Sequence, residues 1–130
     1  MDGKRYSERS IRRSIVLVDD EPLVSMVLKR LLTNYEVLTF AKGGDALSRL
    51  QEEVPAVVIC DLTLPDMNGM QIYSWLREHR PSLCTRLIFI TGGIWDSALE
   101  EQVYRTERPV LQKPFAWDQL LTAIEAVQEP

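Results

Sequence analysis

Asp61 directly follows an apolar run, residues 56–60, and two further acids, Asp19 and Asp20, follow another, residues 15–18. A third run, 87–90, ends in Thr91, and a fourth, 110–111, ends in Gln112-Lys113-Pro114. Three carboxylates, an ammonium and a hydroxyl are what it takes to hold a magnesium ion and a phosphoryl group. Magnesium takes a few carboxylates plus waters in octahedral geometry and shares the substrate's phosphate oxygens. An aspartate can accept a phosphoryl group as an acyl phosphate, and such transfer asks mainly for alignment and charge neutralisation. On this reading Asp61 is the nucleophile and Asp19 and Asp20 hold the metal. Lys113, a compact cation with three donors, covers one phosphoryl oxygen, and the Thr91 hydroxyl donates to another. Each residue alone has a plainer reading. The acids cap the next helix and favour its dipole, a role assigned here to Glu21; Lys113 is a solvated lysine; Thr91 caps a strand end. Their joint placement favours the chemistry, because clustered carboxylates repel one another without a cation.

The runs are short and β-branched, the pattern of buried parallel strands, whose C-terminal ends gather along one edge of an open α/β sheet. Strands are expected at Ser14–Val18, 35–40, 56–60, 86–90 and 109–111. Helices alternate with them at 22–33, 43 to about 53, Gly69–His79, about 96 to 104, and 116–128. Pro22 suits a first helical turn, Val24, Val27, Leu28 and Leu31 form an apolar stripe, and Pro81 ends the third helix. Five strands alternating with five helices imply a parallel sheet covered on both faces. Residues 1–13, with Lys4, Arg5, Arg9, Arg12 and Arg13, read as a flexible N-terminal tail or linker, leaving 14–130 as one domain.

A chain of 130 residues with 45% hydrophobic and 26% charged residues is an ordinary globular domain. A net charge of −4 supplies no basic face, which disfavours direct nucleic-acid binding. No run approaches the roughly 20 apolar residues of a membrane span, and no apolar core follows the N-terminal basic residues as in a signal peptide. Cys60 lies in a strand and Cys84 in a polar turn, without metal-ligand spacing, so reduced thiols and a cytoplasmic setting are expected. Strand alternation turns Cys60 away from Asp61. His79 reads as a solvated residue at a helix end rather than a phosphoryl carrier. Trp95, Tyr104 and Trp117 read as core or rim aromatics, and Leu23, Pro114 and Phe115 as an apolar rim suited to a docking helical partner.

Val18-Asp19-Asp20-Glu21-Pro22, Asp61-Leu62-Thr63-Leu64-Pro65-Asp66-Met67-Asn68-Gly69, Thr91-Gly92-Gly93 and Lys113-Pro114-Phe115 together resemble the motifs of the response-regulator receiver domain. The resemblance runs from Ser14 to about Gln128. It implies a flavodoxin-like (βα)5 doubly wound α/β fold of strand order 2-1-3-4-5, in a two-component or phosphorelay signalling protein rather than an enzyme acting on outside substrates. It makes Asp61 the phosphoacceptor, filled from the phosphohistidine of a sensor histidine kinase or a histidine phosphotransfer domain. Asp19, Asp20 and Asp61, with the backbone carbonyl of Thr63, become the ligands of Mg2+ (or Mn2+). Thr91 becomes the switch hydroxyl and Lys113 the phosphate-binding lysine, with a cis bond to Pro114; Pro65 and Gly69 shape the loop after Asp61. A weak dimer through the fourth and fifth helices fits the resemblance. The domain stands alone or is the C-terminal receiver of a hybrid histidine kinase, and the run 108–115 tilts toward the latter. Val110 departs from the pattern, standing where receivers often carry an aromatic lever. Gly92-Gly93 leaves the pocket mouth unshielded, which predicts ready access for small phosphodonors and water. Two alternatives stay open: an aspartate-nucleophile phosphatase of the haloacid-dehalogenase type, which wants an acid where Thr63 stands, and a degenerate receiver serving only as a binding module.

Overall fold

The computed structural model describes residues 13–93 and 96–128. Residues 1–12 of the expected tail, and Trp95, lie outside the described residues. Five strands, β1 (Ser14–Val18), β2 (Glu36–Phe40), β3 (Val57–Asp61), β4 (Leu87–Thr91) and β5 (Val110–Gln112), alternate with helices α1 (Pro22–Leu31), α2 (Gly43–Leu50), α3 (Gly69–His79), α4 (Ser97–Arg105) and α5 (Trp117–Gln128). A single helical turn, Pro81–Cys84, follows α3. The strands form one parallel sheet in the order β2-β1-β3-β4-β5. The chain is therefore an α/β protein of the architecture and strand order expected.

Side chains alternate across the sheet, so each central strand feeds two cores. Val16, Val18, Val58, Cys60 and Phe89 pack with Ala46, Leu50, Ile72 and Leu76 of α2 and α3. Ile15, Leu17, Ile59, Ile88 and Ile90 pack with Leu28, Leu120 and Ile124 of α1 and α5. Residues of β1, β3 and β4 are buried throughout, which is why those strands read as unbroken apolar runs. Cys60 faces the first core, so its neighbour Asp61 takes the other parity, as alternation requires.

Several element limits differ from the sequence reading. β3 and β4 each run one residue further, to Asp61 and Thr91, because Leu62 N–H donates to the Ile90 carbonyl (2.9 Å) and Lys113 N–H to the Thr91 carbonyl (2.7 Å). α1 stops at Leu31 and α2 at Leu50, where their apolar stripes end and short of the expected limits at 33 and about 53. Cys84 was expected in a polar turn; it is buried instead, because the turn after Pro81 tucks Leu83 and Cys84 into the first core. Arg13 belongs with the sheet edge, its carbonyl accepting from Glu36 N–H at 2.9 Å.

Register fixes what stands at the C-terminal edge. Val18 is level with Cys60 and Asp61 with Ile90, while Thr91 is level with Gln112. One residue beyond each pair, Asp19 falls beside Asp61, and Lys113 follows the rung at Thr91. The loop from Asp61 to α3 closes on itself through a bridge between Thr63 and Asn68. Asn68 then caps α3: its side chain accepts from Gln71 N–H while the Gln71 side chain accepts from Asn68 N–H. Such a capping box contributes about 1 kcal/mol to a helix start. Gly69 follows because space demands it. A Cβ there would lie 2.9 Å from Leu62 Cδ2 and 3.1 Å from Leu62 Cα and Phe89 Cε1.

Candidate phosphoacceptor site

Asp19, Asp20 and Asp61 offer carboxylate oxygens that all lie within 4.8 Å of one another. Asp19 and Asp61 are buried and Asp20 is exposed. Lys113 closes the group from β5: its Nζ donates to Asp61 Oδ2 at 2.8 Å and to Glu21 Oε1 at 2.6 Å. Asp19 Oδ2 is also 2.8 Å from that nitrogen, yet outside hydrogen-bonding geometry, so this contact is ionic rather than directional. Asp19 Oδ1 accepts Glu21 N–H and Asp61 Oδ1 accepts Thr63 N–H, both at 2.9 Å, which aims the second oxygen of each acid at the lysine.

Burial pushes the Asp19 carboxyl above its ordinary range, against the lowering pull of Lys113 and Glu21 N–H, and the Asp61 charge adds to the rise. Burial works against the Lys113 cation too, but Asp19, Asp61 and Glu21 outweigh it and hold the ammonium well above the usual lysine range. The site therefore keeps its cation firmly and carries at least one carboxylate at a cost. Among the described residues, Asp19 Oδ2 is the buried side-chain oxygen without a hydrogen bond. That oxygen is met only by the Lys113 charge, and together with the carboxylates of Asp20 and Asp61 it makes a set of hard oxygen donors that fits a divalent cation. The acidic triad is of the kind that binds Mg2+ in receiver domains.

A cavity of about 470 Å³ opens over these residues, walled by Asp20, Asp61, Thr63, Gly92, Gly93 and Lys113 among others. Thr91 is buried at the end of β4, and its hydroxyl accepts Gly93 N–H at 3.0 Å. Gly93 has φ 143°, a conformation that glycine permits. A Cβ at Gly92 would meet nothing within 4 Å, so that side of the mouth is open. The Lys113–Pro114 bond is cis, as the resemblance implied. Val110 is exposed at the start of β5, level with Phe89.

Two residues carry more than their sequence suggested. Glu21 was assigned to capping α1; it occupies the N-cap position without a capping hydrogen bond, and its carboxylate goes to Lys113. Lys113 outcompetes the backbone amides because it brings a full charge. Asp66, unassigned from sequence, accepts Gly43 and Gly44 N–H at 2.9 Å each and pins the site loop to the start of α2. Those amides lower its carboxyl below the ordinary range. Its partners lie 23 and 22 residues back, so no local pattern announces them.

A five-stranded parallel sheet whose strand ends gather three acids and a lysine is the arrangement of a receiver-type signalling domain. The sequence matches the family described as response regulator receiver domain over residues 15–125, and the chain belongs to that family. It is thus a signalling module rather than a classical enzyme. It is 30% identical over 117 residues to the transcriptional regulatory protein GltR of Pseudomonas aeruginosa, covering 88% of this chain and 48% of GltR. It is 29% identical over 116 residues to the response regulator receiver protein CpdR of Brucella abortus, covering 88% of this chain and 95% of CpdR. The chain thus spans about half the length of GltR and nearly all of CpdR. Among solved structures, a CheY-like receiver domain protein from Methanospirillum hungatei JF-1 superposes with a TM-score of 0.78 at 25% identity, covering 88% of this chain and 91% of that one. The BeF3-activated DrrB receiver domain gives 0.76 at 29% identity, covering 92% and 100%. Among the described residues no helix is long and apolar enough to cross a membrane.

Proposed function

We propose that this domain takes a phosphoryl group onto Asp61 from the phosphohistidine of a sensor histidine kinase or histidine phosphotransfer domain, and signals through the resulting change at Thr91. The observation that carries the reading is the Lys113 ammonium 2.8 Å from Asp61 Oδ2, inside a triad of acids. An Asp61 oxygen attacks phosphorus, the new O–P bond forms as the P–N bond of the phosphohistidine breaks, and the imidazole leaves with the electron pair. Lys113 neutralises one oxygen of the transferred group. Asp19, Asp20 and Asp61, with the Thr63 carbonyl, would hold Mg2+ or Mn2+. Bound there, the ion supplies charge neutralisation for the phosphoryl oxygens and the crowded carboxylates. The Thr91 hydroxyl then leaves Gly93 N–H for the phosphoryl group, and the loop beyond moves with it. Val110 has no ring to swing, so the change is read from this loop.

The same chemistry serves a stand-alone cytoplasmic regulator or the C-terminal receiver of a hybrid histidine kinase; the full reading frame decides between them. Exposed Tyr104 on α4 and Leu121 on α5 support a weak dimer through those helices. Thr63 in place of a second acid argues against the phosphatase alternative.

Incubation with Mg2+ and acetyl phosphate should add one phosphoryl mass to the intact protein, and Asp61→Asn should abolish it. The open side at Gly92 predicts that the adduct decays well within many hours. Turnover of an external phosphoester without an adduct would favour the phosphatase, and no adduct with any donor would leave the binding module.

A further inference from the structure

Lys113 is shared among three acids that differ sharply in exposure. The Asp19 and Asp61 side chains are 0% and 8% exposed, whereas Glu21 is 57% exposed and yet makes the shortest contact, 2.6 Å. The lysine must give a donor to the incoming phosphoryl group. Neither buried acid can turn to water without moving the core, but Glu21 can, because an exposed ion pair trades readily with hydration. The Glu21 backbone is fixed on both sides. Its N–H is held by Asp19 Oδ1, and the following Pro22 restricts it to the extended conformation seen, φ −88° and ψ 111°. Only its side chain is free to swing. Glu21 also walls the cavity over Asp61, where its charge faces any anionic donor.

We propose that Glu21 is a displaceable clamp, holding Lys113 until a phosphoryl group takes its place and thereby setting how readily the site accepts an anionic donor. It is a positioning residue, acting through the lysine, and the inference rests on the phosphoacceptor reading above. Glu21→Gln keeps the shape and leaves only a weaker, neutral contact. Glu21→Asp keeps the charge but shortens the reach.

Beryllofluoride, an anionic phosphoryl mimic, is titrated into the whole protein at saturating Mg2+, followed by the change in amide resonances. Removing the competing Glu21 charge should tighten binding about 5-fold in Glu21→Gln. Initial phosphorylation by acetyl phosphate should rise similarly, and the gain should shrink at high salt. Glu21→Asp should fall between the wild type and Glu21→Gln, since it has lost the clamp and kept the charge. Glu78→Gln, nine residues along α3 from Gly69, removes the same charge elsewhere and should match the wild type. Wild-type binding with Glu21→Gln equal or weaker would overturn the clamp alone. A wild type that takes up neither beryllofluoride nor a phosphoryl group would overturn the phosphoacceptor reading and the clamp with it.

Discussion

The two oxygens of Asp19 have different surroundings. Oδ1 accepts Glu21 N–H, while Oδ2 is buried, close to Lys113 and without a hydrogen bond. Burial raises this carboxyl above 3.8, its ordinary value. The folded protein therefore takes up a proton here before the unfolded chain does. The stabilising contribution is complete below the ordinary value and is lost as pH rises through the folded one. At neutral pH and without a divalent cation the Asp19 charge works against the fold. Asp19→Asn should thus melt a few degrees higher than the wild type in metal-free buffer at pH 7, and should lose most of the further rise that Mg2+ gives the wild type. A variant that melts lower without metal, or gains as much from Mg2+, contradicts this assignment. The convergence of Asp19, Asp20, Asp61 and Lys113 was legible in the sequence because each lies at the end of an apolar run; Thr91, also at such an end, bonds Gly93 N–H and does not wall the cavity. The partner of Glu21 was not, since a glutamate before a helix-opening proline has an adequate local explanation. The competing lysine lies 92 residues away.

The elements divide between those that hold the site and those that can yield. The turn from β3 into α3 is packed without slack, Gly69 lying against the Leu62 backbone and the Phe89 ring. Gly69→Ala must push on main chain and should cost about 1–3 kcal/mol in urea unfolding. Gly92→Ala points into open space and should stay within about 0.5 kcal/mol of the wild type. Equal costs at the two positions would mean that the packing around α3 is not as described. Most elements were readable from periodicity: β1 and α3 match their expected limits, and the strands bearing Asp61 and Thr91 differ by one residue. The turn at Pro81–Cys84 was not, because four residues are too few to carry a period. The buried Cys84 beyond a proline reads as loop. Asp66 is hidden for a related reason, its amide partners belonging to an element that only the folded sheet brings near.

Over the whole molecule, function follows from topology. Placing β1 between β2 and β3, and β4 between β3 and β5, sets the acid-bearing strands side by side and brings the lysine-bearing strand within reach. Alternating strands and helices imply a parallel sheet, but not the order of its strands; that came from the resemblance, because several orders bury the same apolar runs. The carboxylates repel and the lysine alone cannot neutralise them all, so the site suits a divalent cation that would complete it. Mapping the phosphorylated peptide after treatment with acetyl phosphate, with Mg2+ or with a chelator, tests this most directly. A single phosphoryl group on Asp61, formed with Mg2+ and absent with chelator, is the predicted result. A phosphoryl group on another residue, or one on Asp61 that forms undiminished in chelator, would contradict it.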